Sequence, residues 1–442
     1  MRKRIWEIYN KFYFIGAGGV SMSALAKFLI AKGATVAGSD NSDSVYVREL
    51  KALGAEISAG NGFESIKDYD VIVYTDAIKE NNSQLAEARG LSKEILSRGQ
   101  LLTEISRDFN KVIAVSGCHG KTTVTSMLAH IFSAANKDFC AHIGGRDTVF
   151  SNFYYCGNSY FLTEACEYKQ NFLLLKPDLA VVLNTDPDHL ECYGSAENLR
   201  LAYMRFAGSA QISVTPYGDL PISGLTFGYD KNADYSVEDV AENNGKYSFC
   251  ICEKGVKACE IALNIYGRHN VLNALAATSA ARAAGISFAD IKKGLSSFSG
   301  VERRFEHIGN VNGAEIIADY AHHPDEIEAA LATAKSIVKG KLFVVFQPHT
   351  YSRTKNLFND FVKVFSPIEN LLIYRTFAAR EYFDDKGSAL TLSQSIPCSQ
   401  YGDDIADIEE FMCRAGKCDV VLALGAGDIY DLAKTAVNKL SR

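Results

Sequence analysis

The chain has 442 residues, which is too long for one ordinary hydrophobic core and predicts roughly two to four domains. Hydrophobic residues make up 47% of the sequence and charged residues 22%, a composition typical of a soluble globular protein. The net charge of −6 argues against a nucleic-acid-binding surface, and the sequence shows neither a signal peptide nor a long apolar run, so we expect a cytoplasmic protein without membrane insertion.

Residues 1–108 alternate short apolar strands with helical stretches; the strands read FYFIG, ATVAGSD and DVIVYTD. This alternation predicts a parallel sheet with helices on its faces. The first strand runs into GAGGVS, which matches the dinucleotide fingerprint G-x-G-x-x-G except that Ser21 replaces the third glycine. Asp40 ends the second predicted strand. The pattern predicts a diphosphate at a helix N-terminus and leaves NAD and a UDP-sugar as alternatives.

A second segment, residues 109–300, opens with the strand KVIAVSG, which runs into GCHGKTT and an apolar-periodic helix. A glycine-rich turn between a strand and a helix lets backbone N–H groups approach phosphate oxygens. Lys121 can then reach the β- and γ-phosphates, and the Thr122 hydroxyl can bind Mg²⁺. The first glycine of the usual phosphate-binding loop would fall at Val115, two residues before Gly117. The flanking strand and helix still favour nucleotide binding over a helix cap.

Polar side chains follow two further strands of this segment. Glu164 follows YFLT, and Asn184, Asp186, Asp188 and His189 follow LAVV. Because ligands bind at the carboxyl ends of parallel strands, we expect carboxylate and imidazole groups to converge there on Mg²⁺. Ordinary loop polarity is the alternative, and the glycine loop in the same predicted sheet argues against it.

Two other stretches of the second segment carry weaker patterns. Residues 208–262 are rich in polar and β-forming residues and predict a small antiparallel addition to the central domain. GRHNVLNALAA opens a helix with His269, Asn270 and Asn273 in its first turns. These three side chains are interpreted either as helix caps or as groups that bind a nucleotide base.

The third segment, residues 301–442, again alternates strands and helices and carries two clusters, DYAHHPDE and FQPHTYSR. Each cluster follows a strand and places a histidine beside a proline, which ends the strand and presents side chains at its rim. A zinc site formed by His322, His323 and His349 is a minor alternative, since adjacent histidines diverge and no cysteine stands at ligand spacing.

Taken together, these motifs resemble the Mur ligases of peptidoglycan synthesis. The match runs in order along nearly the whole chain and includes GAGGVSMSALA, SGCHGKTT, EACE, NTDPDHL, GRHNVLNALAA, GVERRFE, DYAHHP, FQPHTYSRT and GAGD. The resemblance implies an α/β protein of three domains. These are a Rossmann-like UDP-sugar-binding domain at 1–108, a central P-loop ATPase domain at 109–300 and a Rossmann-like amino-acid-binding domain at 301–442.

The resemblance also implies a role for each matching position. The UDP-sugar contacts would be Gly16, Gly18, Gly19, Val20, Ser21 and Asp40. The ATP contacts would be Gly117, Cys118, His119, Gly120, Lys121, Thr122, Thr123, His269, Asn270, Asn273 and Asp319. The metal ligands would be Thr122, Glu164 and His189; the catalytic groups Lys121, Arg304 and His322; and the amino-acid contacts Tyr320, His322 and Arg353. Many relatives carry a basic residue where Thr350 stands, which leaves Arg353 as the cation of that motif.

The implied reaction uses ATP and Mg²⁺ to phosphorylate the lactyl carboxylate of UDP-N-acetylmuramate, and the amine of L-alanine then attacks the acyl phosphate. A ligase that attaches a whole peptide to the same UDP-sugar is an alternative within the class. An NAD-dependent dehydrogenase leaves GCHGKTT without a role, and a P-loop ATPase that drives a partner is the third alternative. We expect a monomer or a weak homodimer.

Overall fold

A computed structural model of the chain describes residues 3–60, 66–78, 81–186, 190–379 and 381–441, apart from the side chains at 190 and 191. Within these ranges, no helix has both the length and the apolar character needed to cross a bilayer. The fold divides into two compact units. The first comprises Met1–Val240, Phe249–Ala262 and Val271–Ser299, and the second Ala241–Ser248, Leu263–Asn270 and Gly300–Arg442.

The first sheet has five parallel strands in the order β3-β2-β1-β4-β5. Its strands are β1 Lys11–Ile15, β2 Thr35–Asp40, β3 Glu56–Ala59, β4 Val71–Tyr74 and β5 Glu94–Ser97. The helices are α1 Ile5–Ile8, α2 Val20–Ala31, α3 Val45–Ala52, α4 Ser83–Gly90 and α5 Arg98–Ser106, with a 3₁₀ turn at Ile66–Asp68. Phe12 and Phe14 alternate with Tyr13 across β1, and all three are fully buried. β2 and β3 lie on one side of β1, and β4 and β5 lie on the other, so the strand order reverses between β1 and β4. A ligand crevice is therefore expected at the carboxyl ends of β1 and β4.

The second sheet has ten strands in the order β15-β14-β13-β12-β11-β10-β6-β9-β7-β8. Its strands are β6 Lys111–Ser116, β7 Phe139–Asp147, β8 Ser151–Tyr155, β9 Tyr160–Glu164, β10 Leu179–Val182, β11 Ile212–Pro216, β12 Leu225–Phe227, β13 Tyr235–Asn243, β14 Lys246–Glu253 and β15 Val256–Tyr266. Its helices are α6 Lys121–Ala134, α7 Leu190–Tyr193, α8 Ala196–Gly208, α9 His269–Ala283 and α10 Phe288–Ser297, with a 3₁₀ segment at Tyr168–Leu174.

The stretch 208–262 corrects one expectation in part. It was predicted to form a small antiparallel addition, but β11, β12 and β13 pair in parallel and continue the central sheet from β10. β13, β14 and β15 are neighbours in the sheet and are joined by two-residue connections, which is the spacing of antiparallel hairpins, as predicted. Short parallel strands with polar flanks read like hairpin strands in the sequence, because residue spacing alone does not specify strand direction.

The third sheet has six strands in the order β16-β17-β21-β18-β19-β20, antiparallel at β16–β17 and parallel elsewhere. Its strands are β16 Glu306–Val311, β17 Ala314–Asp319, β18 Leu342–Phe346, β19 Asn370–Tyr374, β20 Ser399–Gly402 and β21 Val420–Leu424. Its helices are α11 Pro324–Ile337, α12 Tyr351–Asn356, α13 Phe358–Phe365, α14 Ala389–Gln394, α15 Ile405–Cys413 and α16 Ile429–Leu440, with a 3₁₀ turn at Asp385–Gly387. The predicted α/β class is confirmed, while the domain boundaries at 108/109 and 300/301 stay predictions.

Candidate active site

The glycine loop that was predicted to bind phosphate joins β6 to α6. Gly117 and Gly120 have φ values of +139° and +85°, which residues with a side chain rarely adopt. A Cβ added to Gly120 would lie only 2.6 Å from Oδ1 of Asn273. Asn184 accepts a hydrogen bond from the His119 N–H at 3.1 Å and donates one to the His119 carbonyl at 3.1 Å. Asn184 therefore fixes the middle of the loop, and Asn273 lies against its last glycine.

Lys121 opens α6 and holds its ammonium group under the loop. Its Nζ donates to the carbonyl oxygens of Gly117 and Cys118, and to Oε1 of Glu167 at 3.0 Å. The Glu167 side chain is 2% exposed, and its Oε2 is a buried atom without a hydrogen-bond partner in the part of the chain that the structure describes. Burial by itself would lower the pKa of Lys121, but the Glu167 carboxylate, together with Cys166 and Cys118, outweighs burial and raises that pKa above its ordinary value. The lysine is therefore charged and preorganised beside the loop.

Two of the three predicted metal ligands lie in the described ranges. Thr122 is buried in the first turn of α6, and Glu164 ends β9, where its Oε1 accepts a hydrogen bond from the Gly144 N–H. His189, the third, lies outside the described residues. Within those residues no group of three or more His, Cys, Asp and Glu side chains could hold a metal. Hydroxyl and carboxylate oxygens, with the orphaned Oε2 of Glu167, still suit Mg²⁺ as ligands.

The turn after β1 has the geometry of a diphosphate-binding loop. Gly16 has a φ of +83°, Gly19 caps α2, and Val20 is its first residue. The Gly18 N–H donates to Oδ2 of Asp40 at 2.8 Å, and a Cβ on Gly18 would lie 2.9 Å from the same carboxylate. Asp40 therefore holds the loop in shape through Gly18.

Ser21, at the position of the missing third glycine, belongs to a chain of hydrogen bonds. Its Oγ lies 2.8 Å from Nε2 of His142 on β7, and Nδ1 of His142 lies 2.9 Å from Oγ1 of Thr163 on β9. Thr163 donates to the carbonyl of Glu164 at 3.1 Å, and Arg98 donates to Ser21 Oγ at 3.4 Å. Burial, and secondarily the Arg98 charge, lower the pKa of His142 to about 3. The imidazole is therefore neutral at physiological pH.

The helix α9 begins at His269, as predicted. Asn270 donates from Nδ2 to the Tyr266 carbonyl at 2.6 Å, and its N–H donates to the Gly267 carbonyl at 3.1 Å. Its side chain therefore ties the helix start to the end of β15, and capping and base binding both stay predictions for this residue. Asn273, by contrast, lies against Gly120. His269 and Asn270 belong to the second unit and Asn273 to the first.

In the second unit, Asp319 ends β17 and organises the chain on both sides. Its two oxygens accept the N–H groups of Phe305 at 2.8 Å and of Ala321 at 2.7 Å. Burial raises the pKa of the Asp319 carboxyl to about 6, against the opposing charge of Arg304. The Arg304 guanidinium lies over the Tyr320 ring, 5.1 Å from its centroid. Arg304, predicted from GVERRFE, thus lies together with Asp319 and Tyr320, which were predicted from DYAHHP.

The remaining predicted residues of the second unit extend this cluster. His322 packs edge-on against Tyr320, with its Nδ1 3.0 Å from the Tyr320 carbonyl and 3.3 Å from Oε2 of Glu326. The His349 ring is 5.9 Å from that of His322, and Arg353 donates to Nδ1 of His349 at 3.4 Å. Burial lowers the pKa of His322, and burial with the charges of His322 and Arg353 lowers that of His349 to about 4. Two neutral imidazoles and two guanidinium groups therefore share one site.

Three residues of these sites were not predicted. Glu167 stood inside EACE, but only its first glutamate, Glu164, was assigned a role. Gly144 leaves room for the carboxylate, because a Cβ there would lie 2.2 Å from Oε2 of Glu164. His142 stands 121 residues from its partner Ser21. No local pattern in the sequence signals either of the last two contacts.

Comparison with known proteins places the chain among related sequences. Three family models match in order: "Mur ligase family, catalytic domain" at residues 11–110, "Mur ligase middle domain" at 115–281 and "Mur ligase, glutamate ligase domain" at 303–427. UDP-N-acetylmuramate–L-alanine ligases of Acetivibrio thermocellus and Clostridium novyi are each 38% identical, over 96% and 95% of this chain and 96% of each relative. The crystal structure of a UDP-N-acetylmuramate–alanine ligase from Thermotoga maritima aligns with a TM-score of 0.86 and 27% sequence identity. The alignment covers 98% of this chain and 99% of the Thermotoga maritima chain.

Proposed function

The chain belongs to the Mur ligase family, and on that premise we propose that it joins L-alanine to the lactyl carboxylate of UDP-N-acetylmuramate at the expense of ATP, in peptidoglycan precursor synthesis. The observation that carries this proposal is the glycine loop with its buried Lys121–Glu167 pair. The relatives that are named UDP-N-acetylmuramate–L-alanine ligase match this chain along nearly their whole length, which also supports it. The reaction would take place in the cytoplasm, and a monomer or weak homodimer remains our expectation.

The first unit would bind ATP and the UDP-sugar. Backbone N–H groups of Gly117–Thr123 and the Lys121 ammonium would hold the triphosphate, and Thr122, Glu164 and His189 would hold Mg²⁺. The ion would neutralise charge on the phosphate oxygens when bound. To donate to phosphate, Lys121 has to exchange the Gly117 and Cys118 carbonyls for phosphate oxygens. The contact to Glu167 can persist, because an ammonium group has three N–H donors.

The Gly16–Ser21 turn would hold the diphosphate of UDP-N-acetylmuramate at the N-terminus of α2. The lactyl carboxylate attacks the γ-phosphorus of ATP, the bond to the bridging oxygen breaks, and ADP leaves. The product is an acyl phosphate. This step depends on alignment and on stabilisation of charge more than on covalent chemistry by the protein.

The second unit would bind L-alanine. The Arg353 guanidinium would hold the amino-acid carboxylate through parallel hydrogen bonds, and Tyr320 and His322 would border the amine. The amine attacks the acyl carbon, a tetrahedral intermediate forms, and inorganic phosphate leaves with the electrons of the C–O bond. Arg304 would stabilise the charge on the phosphate. Asp319 would position the backbone at Phe305, next to Arg304, and at Ala321, next to Tyr320. The lowered pKa of His322 leaves it neutral, so that it can accept the proton of the amine.

The test is ADP release by the purified chain with ATP, Mg²⁺ and UDP-N-acetylmuramate, with each amino acid and the wall tripeptide added in turn. We expect release that requires both the UDP-sugar and L-alanine, with a product heavier by one alanine residue in mass spectrometry. Release only with the tripeptide would favour the peptide ligase. ADP release without any UDP-sugar would favour an ATPase that drives a partner, and NAD reduction would favour a dehydrogenase.

A further inference from the structure

Arg98 is a cation near the diphosphate turn that has no role in the proposed reaction steps. It follows directly on β5 and is the first residue of α5, so it stands at the carboxyl edge of the first sheet. Its guanidinium crosses to the start of α2 and donates to Ser21 Oγ at 3.4 Å. Within the described ranges this is its one hydrogen bond, and no carboxylate forms an ion pair with it.

The hydrogen-bond chain beyond Ser21 has one consistent direction. Thr163 uses its proton on the Glu164 carbonyl, so its oxygen accepts from Nδ1–H of His142. Nε2 of His142 then carries no proton and accepts the Ser21 hydroxyl proton. The lone pairs of Ser21 Oγ therefore remain for Arg98. The serine acts as an acceptor that holds the guanidinium at the turn, and the guanidinium keeps most of its five N–H donors for another partner.

The charge arrangement indicates what that partner is. The N-terminus of α2, a helix of 12 residues, carries a partial positive charge, and a cation placed there is unfavourable by itself. Arg98 stands at this end with a neutral serine oxygen as its protein partner. The arrangement becomes favourable when an anion lies between the guanidinium and the helix N-terminus. Ligands of open parallel sheets bind at this edge of the strands.

We propose that Arg98 is a further binding residue for the anionic part of the UDP-sugar, and that His142 is a positioning residue that holds Ser21 as its acceptor. This inference rests on the proposed function. The anion is a diphosphate or a carboxylate, both of which accept two parallel N–H bonds from a guanidinium. Both groups are present in UDP-N-acetylmuramate.

Calorimetry with Arg98→Met, Arg98→Lys and wild type would test the binding role, with UDP-N-acetylmuramate, UDP-N-acetylglucosamine and ADP as ligands. We expect Arg98→Met to weaken UDP-N-acetylmuramate binding about tenfold to a hundredfold, the range for a lost charged hydrogen bond. Arg98→Lys should restore part of the affinity, and ADP binding should stay within about twofold. Weakening with both UDP-sugars identifies the diphosphate as the partner, and weakening with UDP-N-acetylmuramate alone identifies the carboxylate. Arg107→Met, at the other end of α5, is the matched control.

His142→Asn tests the positioning role, because asparagine can keep the bond to Thr163 but is too short to reach Ser21. We expect a severalfold rise in the KM for UDP-N-acetylmuramate, with the KM for ATP unchanged. In an Arg98→Met background, His142→Asn should raise this KM little further, since both substitutions remove the same contact between the guanidinium and the ligand. Full additivity in this cycle would mean that His142 supports the fold alone, and would overturn the positioning role.

The possible outcomes distinguish a failure of the Arg98 role from a failure of the proposed function. Wild-type turnover with unchanged binding of UDP-N-acetylmuramate by both Arg98 variants overturns the inference and leaves the proposed function intact. Absence of any UDP-sugar binding by the wild type overturns both. If Arg98→Met does not fold, Arg98→Lys decides, because lysine keeps the charge but not the planar fork and should still weaken binding severalfold.

Discussion

Replacing Gly144 by alanine should impair catalysis much more than folding. The added Cβ would lie 2.2 Å from Oε2 and 2.5 Å from Oε1 of Glu164, whereas ordinary contact begins near 3.4 Å. The carboxylate therefore has to retreat by about 1.2 Å, which is the difference between these two distances. Because the clashing atoms are the end of a side chain, the rest of the fold can stay in place.

The magnitudes follow from that displacement. A shift of about 1 Å in a group that positions the reactants costs roughly a hundredfold in rate. The hydrogen bond from the Gly144 N–H to the carboxylate is lost as well, which costs about 1.5–3 kcal/mol of stability. Alanine regains about 0.4–1 kcal/mol through the unfolded state, so we expect a net loss of about 1–2 kcal/mol.

The assay is a magnesium titration of ADP release in the presence of UDP-N-acetylmuramate and L-alanine, alongside urea unfolding. Gly144→Ala should raise the Mg²⁺ concentration needed for half-maximal rate or remove most of the rate. The matched control is Gly208→Ala, because a Cβ at Gly208 on α8 meets no atom within 4 Å. A Gly144→Ala variant with the wild-type magnesium titration and rate would refute the placement of Glu164 at the metal.

Three further outcomes are expected. Lys121→Met and Glu167→Gln should each lower the free energy of unfolding by about 3–5 kcal/mol, because each leaves a buried charge or acceptor unpaired. In urea unfolding, the double variant should lose less than the sum of the two single losses, and full additivity would contradict a direct Lys121–Glu167 interaction. Arg353→Lys should raise the KM for L-alanine markedly and leave that for ATP little changed, since lysine has no planar fork; equal KM values for L-alanine would place the carboxylate elsewhere. His349, with a folded pKa of about 4 against 6.5 when unfolded, binds fewer protons in the folded chain between these pH values. Wild-type stability should therefore fall as pH drops from 6.5 to 4, and His349→Asn should show a shallower slope; identical slopes would contradict the buried neutral imidazole.

The strands and helices that carry strong periodicity were predictable from the sequence. KVIAVSG and KTTVTSMLAHIFSAA became β6 and α6, and DVVLALGAGDIYDLA became β21 and α16. The clusters after β17 and β18 were also foreseeable, because a polar run that follows a buried strand stands at the sheet's carboxyl edge. Local pattern was sufficient wherever neighbouring residues both define the element and carry the chemistry.

Contacts between distant segments were not predictable. The pairing of Ser21 with His142 spans 121 residues, and that of Lys121 with Glu167 spans 46. Burial of His142 on β7 depends on which strands flank it, and one sequence does not specify strand order. The ligand contact of Asp40 stays a prediction, and its bond from the Gly18 N–H was not foreseen, because that bond depends on how β2 ends beside the turn.

Thr350 shows how the fold prepares the second unit for its proposed substrate. Its φ of +67° with ψ of +143° is a conformation that a β-branched residue adopts at a cost of about 1–3 kcal/mol. Its N–H donates to the Phe377 carbonyl at 2.9 Å. Its carbonyl accepts from Thr354 Oγ1 at 2.9 Å and from the Thr354 N–H at 3.3 Å. Thr350 is also the N-cap of α12, whose third residue is Arg353. The strained residue therefore fixes where α12 begins and hence where the guanidinium stands. Thr350 carries no charge itself, and it orients the cation of its motif, Arg353.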